Sequence, residues 1–157
     1  MISFLPLIVL PFLLLKSPLV NNDIVDASVM LHEAAVKFKE KQTECLASVV
    51  YHEARGEPLK GKIAVAQVVL NRKKSKWYPD TICKVAFQKA QFTGLKEIKY
   101  NDDTYKIAKQ AIEGKFKGKI HGATHYHALE VNPKWASWDK LKRVSQIGNH
   151  IFYRMTV

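Results

Sequence analysis

The chain has 157 residues, 47% of them hydrophobic and 25% charged, which is enough for one globular domain with its own core but not for two. Its 25 lysines and arginines against 14 acidic residues give a formal net charge of +11, which attracts polyanions such as nucleic acid, anionic lipid or an acidic wall polymer. The positive charges are scattered and no nucleic-acid-binding motif is recognised, so nucleic acid is not predicted as a partner.

The first twenty residues differ in composition from the rest of the chain. They are uncharged from residue 2 to Lys16, and their apolar run of roughly 14 residues is shorter than the about 20 that a membrane span needs. We interpret residues 1–20 as an export signal or signal anchor, which predicts a protein of the periplasm or cell wall with transient inner-membrane association. A buried core helix is the alternative, which Pro6 and Pro11 disfavour.

The next segments predict a linker and then the start of the main domain. Residues 21–43 begin polar and become helix-like after Asp26, a candidate cap, and we interpret them as a linker helix. The single folded domain is predicted over residues 44–157, with Thr43 as the cap of its first helix. That helix is expected to end at Gly56.

The first helix of the domain carries an acid where its apolar face would continue. Leu46, Val49 and Val50 lie at offsets 0, 3 and 4 of one helix face, and Glu53 occupies offset 7. Apolar surroundings raise the pKa of a carboxyl group, which predicts that Glu53 holds a proton near neutral pH, as an acid that protonates a glycosidic oxygen must. The alternative is a rim position in which Glu53 pairs with Arg55 or a lysine.

A second, more buried helix is predicted directly after this one. The run from Ile63 to Leu70 is apolar almost all round, which favours a buried helix over the alternative of a buried strand. Pro58 is expected at its first position, and the cations of the NRKK sequence suit its C-terminal end. A short helix from Asp80 and an aromatic loop are expected to follow.

The last third of the chain predicts one clear helix and a small amount of β-structure. In NDDTYKIAKQAIEG, Asp102 or Asp103 is the expected cap and Gly114 the end. Residues 119–138 are interpreted as extended or loop structure, and residues 144–155 as a terminal strand. Together the elements predict a mainly α (α+β) fold with a minor β element.

A second carboxylate and several histidines are further candidates for chemistry. Glu57 lies four residues after Glu53 and would supply a second acid, although the start of a helix is an equally typical place for it. His125 and His127 are predicted on one side of a strand, and a zinc site formed with His52 is one interpretation. Otherwise the histidines orient other groups or line a groove.

Cys45 and Cys83 are the two cysteines of the chain. An exported protein with an even number of cysteines allows one disulfide, and two buried free thiols fit the spacing equally well. Neither cysteine has the surroundings of a catalytic thiolate. The aromatic residues in loop-like segments bind sugars or fill a core, and they are Trp77, Tyr78, Phe92, Tyr126, Trp135 and Trp138.

Four segments in a fixed order resemble one protein family. They are ECLASVVYHEARGEPLKGKIAVAQVVLNR, YPDTICKVAFQKAQFTG, ATHYHA followed by NPKW, and IGNHIFYR, and they extend over residues 44–154. In order and spacing they are similar to the cell wall hydrolases of the spore-cortex-lytic (SleB/CwlJ-like) type.

This resemblance implies a small lysozyme-like or lytic-transglycosylase-like domain that cleaves the bond between N-acetylmuramic acid and N-acetylglucosamine in peptidoglycan glycan strands. The first glutamate of EARGE, Glu53, is then the catalytic acid and acts alone. It protonates the leaving oxygen and afterwards accepts the proton of the C6 hydroxyl of muramic acid, which closes a 1,6-anhydro ring. No cofactor and no metal are expected, and the protein is expected to act as a monomer.

The resemblance also assigns roles to other positions. Gln91, Phe92 and Thr93 match a loop that lines the family's groove, and Tyr126 and Trp135 match aromatic positions that contact glycan. His125 and His127 also match a family motif, and together with His52 and Glu57 they are candidates to support the site. Cys45 and Cys83 occupy positions where many members have cysteine, which favours the disulfide.

Three alternatives to this function stay open. The same substrate would be hydrolysed if a second carboxylate, Glu57 or Asp103, took part. A basic wall- or lipid-binding module would use the net charge without activity, and a zinc amidase or peptidase would use His52, His125 and His127. The biological role is likewise open, because a short exported wall hydrolase is typical both of a phage endolysin and of a wall-remodelling enzyme.

Overall fold

The computed structural model describes residues 22–89, 91–92, 95–116 and 120–156, so the predicted export segment lies outside the described residues. The helices are α1 (Asn22–Ala54), α2 (Leu59–Lys74), α3 (Ile82–Ala86) and α4 (Asp102–Ile112). The strands are β1 (His125–Ala128), β2 (Leu141–Ile147) and β3 (His150–Met155), and a 3-10 turn, Lys134–Ser137, precedes β2. The mainly α (α+β) prediction is confirmed. Among the described residues, no helix is long and apolar enough to span a bilayer.

The first helix is longer than the sequence predicts. α1 continues without a break through Thr43, whose hydroxyl donates to the carbonyl oxygen of Lys39 at 2.9 Å, so Thr43 does not cap a helix. A threonine hydroxyl can either cap a helix or bond to a carbonyl oxygen of the preceding helical turn, and Thr43 does the latter. The main compact unit begins within α1, at Val36. Gly56 does not have a left-handed backbone, so the end of α1 at Ala54 does not depend on a glycine cap.

The second helix occupies the centre of the main unit. Its helical state is confirmed, with Pro58 as the cap rather than the first helical residue. Val65 and Val69 belong to a core cluster shared with α1, α3 and α4. Val68 belongs to a second cluster with Phe152 of the sheet. α2 is apolar almost all round because it packs against helices on one side and against the sheet on the other.

The sheet has the strand order β1-β3-β2, and both pairings are antiparallel. The prediction of one strand over residues 144–155 is wrong, because β2 and β3 form a hairpin that turns at Gly148 and Asn149. A Gly-Asn pair between two extended runs is a hairpin signal. The start of β2 lies before the predicted strand because its residues there include the charged and exposed Lys142 and Arg143.

The starts of the two shorter helices differ slightly from the predictions. α3 begins at Ile82, two residues after the predicted start at Asp80, and its cap Thr81 accepts from the backbone N–H of Lys84. Asn101, rather than either aspartate after it, caps α4. The aspartates lie instead in the first turn of α4, where negative charge complements the helix dipole. The chain leaves α4 at the predicted Gly114, which has a left-handed backbone with φ of 73°.

A disulfide joins α1 to α3. It links Cys45 and Cys83, which are 38 positions apart in the chain. The side-chain carbonyl oxygen of Gln42 accepts from the backbone N–H of Cys83 at 3.1 Å, so α3 is held to α1 at two neighbouring points. The free-thiol alternative is therefore not the state that this structure has.

Candidate active site

A cavity of about 340 Å³ lies at the C-terminal end of α1. One wall consists of residues 52–57, and the other consists of Asn149 and His150 at the turn before and the start of β3. Glu53 and Glu57 both line this cavity. The site therefore forms where the end of one helix meets the hairpin turn of the sheet.

Glu53 lies on the apolar face that the sequence predicts. Leu46, Val49 and Val50 are completely buried, and Glu53, one turn further on, is half-buried. Its Oε2 accepts a hydrogen bond from the hydroxyl of Tyr126 at 2.9 Å. Among the described residues Oε1 has no hydrogen-bond partner, so one carboxylate oxygen is held and the other is available to a ligand in the cavity.

Tyr126 reaches Glu53 because it points to the inner face of β1. Its ring packs against His150 and Phe152, with centroids 5.1 and 5.8 Å away. Burial, and then the neighbouring charge of Glu53, raise the pKa of Tyr126 well above its usual value. Tyr126 therefore remains a protonated donor to Glu53 through the neutral and mildly alkaline range.

Arg72 is a buried cation behind this pair, and sequence reasoning missed it. The NRKK sequence predicts only a cation that suits the C-terminal end of α2, but Arg72 is only 5% exposed. Its guanidinium lies over the rings of Tyr78 and Phe92, at 5.3 and 5.1 Å from their centroids. Nε donates to the carbonyl oxygen of Thr124 at 2.7 Å.

A signal for Arg72 was present in the sequence. Val65, Val68 and Val69 are completely buried, and Arg72 follows them at the same offsets 0, 3, 4 and 7 that place Glu53 on α1. The helical spacing that singles out Glu53 on the apolar face of α1 therefore also singles out a cation, Arg72, on the apolar face of α2.

Glu57 connects the two walls of the cavity. Its Oε2 accepts from the backbone N–H of Asn149 at 2.9 Å, and its Oε1 lies 3.8 Å from Nδ1 of the buried His150. The carboxylate also lies against Gly61 and Gly148. Glu57 therefore fixes the hairpin turn to the start of α2, which the helix-start interpretation did not foresee.

Asp103, the other candidate for a second acid, lies outside the cavity. It lies in the first turn of α4 and forms an ion pair with Lys62 of α2 at 2.6 Å. The cavity lining does not include it. Of the two carboxylates considered beside Glu53, only Glu57 is in a position to meet the same ligand.

His125 and His127 lie on the outer face of β1, opposite Tyr126. Both rings pack against Trp135, each with a centroid distance of 5.6 Å. Burial, and less strongly the charge of Arg72, lower the pKa of His125 to about 4. Nε2 of His127 lies 2.9 Å from the hydroxyl of Tyr153.

The zinc alternative does not fit the arrangement of the histidines. His52 lines the cavity, where its buried Nε2 has no partner among the described residues. His125 and His127 lie instead on the outer face of the sheet with Trp135. Within the described ranges no three histidine, cysteine or acidic side chains meet in a group that could hold a metal ion.

The predicted groove loop is only partly described. Gln91 is exposed, and Thr93 lies outside the described residues. Phe92 is only 6% exposed and packs against Arg72, so it offers little surface to a glycan. Trp135 is half-buried against the two histidines and belongs to the outer face of the sheet, away from the Tyr126 hydroxyl.

The family model described as Cell Wall Hydrolase matches residues 56–153. The spore cortex-lytic enzyme of Oceanobacillus iheyensis is 33% identical over 119 residues, and that of Bacillus subtilis is 31% identical over 117 residues. Each match covers 73% of this chain, but only 42% and 38% of the relatives. This chain thus spans less than half the length of these relatives.

Solved structures agree over nearly their whole length. The catalytic domain of the germination-specific lytic transglycosylase SleB from Bacillus anthracis superimposes with a TM-score of 0.64 at 32% identity and covers 72% of this chain and 93% of that one. The catalytic domain of the Bacillus cereus SleB protein gives 0.62 at 32% identity, with 72% and 89% covered. The predicted lysozyme-like fold is confirmed.

Glu53 lies just outside the family model, which begins at Gly56. It lies inside the longer matches, because a stretch covering 73% of 157 residues includes residue 53 wherever it starts. The family model itself covers more than half of the chain, and the relatives and solved structures agree with it. The chain belongs to the cell wall hydrolase family.

Proposed function

We propose that this chain cleaves the bond between N-acetylmuramic acid and N-acetylglucosamine in peptidoglycan as a lytic transglycosylase, with Glu53 as its catalytic acid. The observation that carries the proposal is the position of Glu53, at the end of a buried apolar face, in a cavity, with one oxygen held by Tyr126. A solved relative described as a lytic transglycosylase supports this type of reaction.

One carboxyl group is sufficient for both proton transfers. Glu53 donates its proton to the glycosidic oxygen while the bond from that oxygen to C1 of muramic acid breaks. The C6 hydroxyl of the same sugar then forms a bond to C1, and its proton passes to the Glu53 carboxylate. The products are a free hydroxyl on one sugar and a 1,6-anhydro ring on the other, and Glu53 is protonated again.

The test is mass spectrometry of the soluble products released from purified peptidoglycan. Wild type is expected to release muropeptides that end in 1,6-anhydro-muramic acid, and Glu53→Gln is expected to release none. Glu44→Gln is the matched control, because Glu44 lies on the same helix and pairs with the exposed Lys41 and Tyr100. Activity that survives in Glu53→Gln would overturn the assignment of the acid.

A two-carboxylate hydrolase is the second candidate, because Glu57 lines the same cavity as Glu53. In that case water replaces the C6 hydroxyl and the products carry ordinary reducing ends. The hydrogen bond from Asn149 and the contact with His150 favour a structural role for Glu57 instead. The same product analysis on wild type decides between the two reactions.

We also propose how the chain meets its substrate. Gln91, Thr93 and Trp135 contact the glycan, and the net charge of +11 attracts the acidic wall. Residues 1–20 direct export, with transient inner-membrane association, and the domain acts as a monomer in the periplasm or wall as an endolysin or remodelling enzyme. Cell fractionation with and without residues 1–20 tests export, and light scattering tests the monomer.

A further inference from the structure

We infer that Arg72 is a positioning residue of the Glu53 site, whose buried guanidinium holds the strand carrying Tyr126 and balances the negative charge that forms on Glu53 as it gives up its proton. This inference rests on the proposed function, because it concerns the step in which Glu53 transfers that proton.

The position of Arg72 is fixed by three contacts. Its planar group lies over the rings of Tyr78 and Phe92, and Nε donates to the carbonyl oxygen of Thr124 at 2.7 Å. Thr124 immediately precedes β1, and Tyr126 follows two residues later. The bond to Thr124 therefore fixes the start of the strand that brings the Tyr126 hydroxyl to Glu53.

The charge of Arg72 has no ion-pair partner among the described residues, and its buried Nη1 has no hydrogen-bond partner there. Burial of a cation without a carboxylate costs free energy, and contact with two aromatic faces offsets only part of that cost. The end of α2 does not require such burial, because the next two residues, Lys73 and Lys74, are exposed. A role at the neighbouring site accounts for a cation in this place.

The ionisable groups that face Arg72 come from three parts of the fold. They are Glu53 of α1, Tyr78 after α2, and His125 and Tyr126 of β1. Burial lowers the pKa of Arg72, and Tyr78, Tyr126 and Glu53 oppose that shift, yet a guanidinium stays charged in the working range. His125, with a pKa of about 4, is neutral near pH 7, so Arg72 is the cation within this group.

The experiment compares Arg72→Met with Arg72→Lys by initial rates on soluble glycan fragments across a range of pH. We expect Arg72→Met to lower kcat on the order of 100-fold with KM nearly unchanged, and to move the alkaline limb of the kcat profile upward by about one pH unit. The acid is active when protonated, and loss of a nearby cation makes an acid ionise at higher pH. Arg143→Met is the control, since it removes an exposed cation from β2.

Arg72→Lys separates the charge from the geometry. It keeps the positive charge but loses the planar bond to Thr124, so we expect an unchanged alkaline limb and kcat on the order of 10-fold below wild type. Equal losses in both variants without a shift of the limb would mean a purely structural role and would overturn the inference. If Arg72→Met does not fold, Arg72→Lys is sufficient for the test. Either a wild-type kcat or a shifted alkaline limb in that variant would overturn the inference.

A measurement without substrate makes the result independent of the proposed reaction. Thermal unfolding of Glu53→Gln, Arg72→Met and the double variant is expected to show non-additive effects, because the two charges interact. Additive effects would contradict the electrostatic part of the inference. Failure of wild type to release anhydro products would instead reject the proposed function and leave this cycle to decide the role of Arg72.

Discussion

At the scale of single residues, Tyr126 has a partner that the sequence does not predict. The resemblance implies contact with glycan, and the structure adds a hydrogen bond from its hydroxyl to Glu53, which lies 73 positions earlier in the chain. No local pattern predicts that contact, because it requires β1 to lie beside the end of α1. The aromatic character was visible in the sequence, but the partner of its hydroxyl was not.

Tyr126→Phe is expected to lower activity on the order of 10- to 100-fold, because Glu53 loses the donor that orients its carboxyl group. The ring still fills the space beside Phe152, so the thermal midpoint is expected to change little. Rates on purified peptidoglycan and a thermal melt check both points. Tyr105→Phe is the matched control, because it removes a similar bond to the exposed Glu40 and is expected to leave the rate unchanged.

His125 predicts a dependence of stability on pH. Its pKa is about 4 in the folded protein, against an ordinary value of 6.5 that applies to the unfolded chain. Between these pH values the unfolded chain binds more protons than the folded protein. The contribution of neutral, buried His125 to stability is therefore complete above about pH 6.5 and is lost as the pH falls towards 4. His125→Asn is expected to flatten the dependence of the melting temperature on pH in this window. His121→Asn, at an exposed turn, is expected to retain the wild-type slope.

At the scale of elements, apolar stripes were easier to predict than helix ends. The stripe that ends at Glu53 depends only on the period of the helix, and it is present in the structure. The helix ends depend on which of several neighbouring side chains forms the hydrogen bond with a free backbone N–H. Asn101 does so for α4 although two aspartates follow it, and Thr43 bonds within α1.

The hairpin turn depends on a glycine. Gly148 has φ of 58°, and a Cβ there would overlap the carboxylate of Glu57. Gly148→Ala is therefore expected to destabilise the protein by about 2 kcal/mol or more. The measurement is urea denaturation, with Gly56→Ala as the control, since a Cβ at Gly56 meets nothing within 4 Å.

A second background separates the two causes of this loss. The Glu57→Ala background removes this overlap. In it, Gly148→Ala is expected to lower the free energy of unfolding by only about 1 kcal/mol, which is the cost of a left-handed backbone for alanine. An equal loss in both backgrounds would show that Glu57 does not press against the turn.

At the scale of the whole molecule, the disulfide contributes to overall stability. The bond between Cys45 and Cys83 closes a loop with a sequence separation of 38. Removal of both sulfurs in Cys45→Ala/Cys83→Ala is expected to lower the free energy of unfolding by roughly 3 to 4 kcal/mol. Urea denaturation measures this loss, and wild type in reducing agent is expected to match the variant. A variant as stable as oxidised wild type would contradict the expectation.

The assembly of the site was harder to predict than its central acid. Glu53 stood out because it interrupts a local pattern, and the resemblance gave the same residue. Glu57 and Arg72 act through Asn149 and Thr124, which lie 92 and 52 positions away. Such contacts follow from the packing of α2 against the sheet, which no periodicity in one segment specifies.

The two charged interruptions, Glu53 on α1 and Arg72 on α2, have a consequence for evolution and design. Each occupies a place where three preceding residues of the same face are completely buried. Well-packed apolar side chains at both places would relieve the burial of charge and give a more stable protein without its chemistry. Selection for thermal robustness alone would therefore remove this pair, and stabilising this scaffold while keeping it active requires changes at other positions.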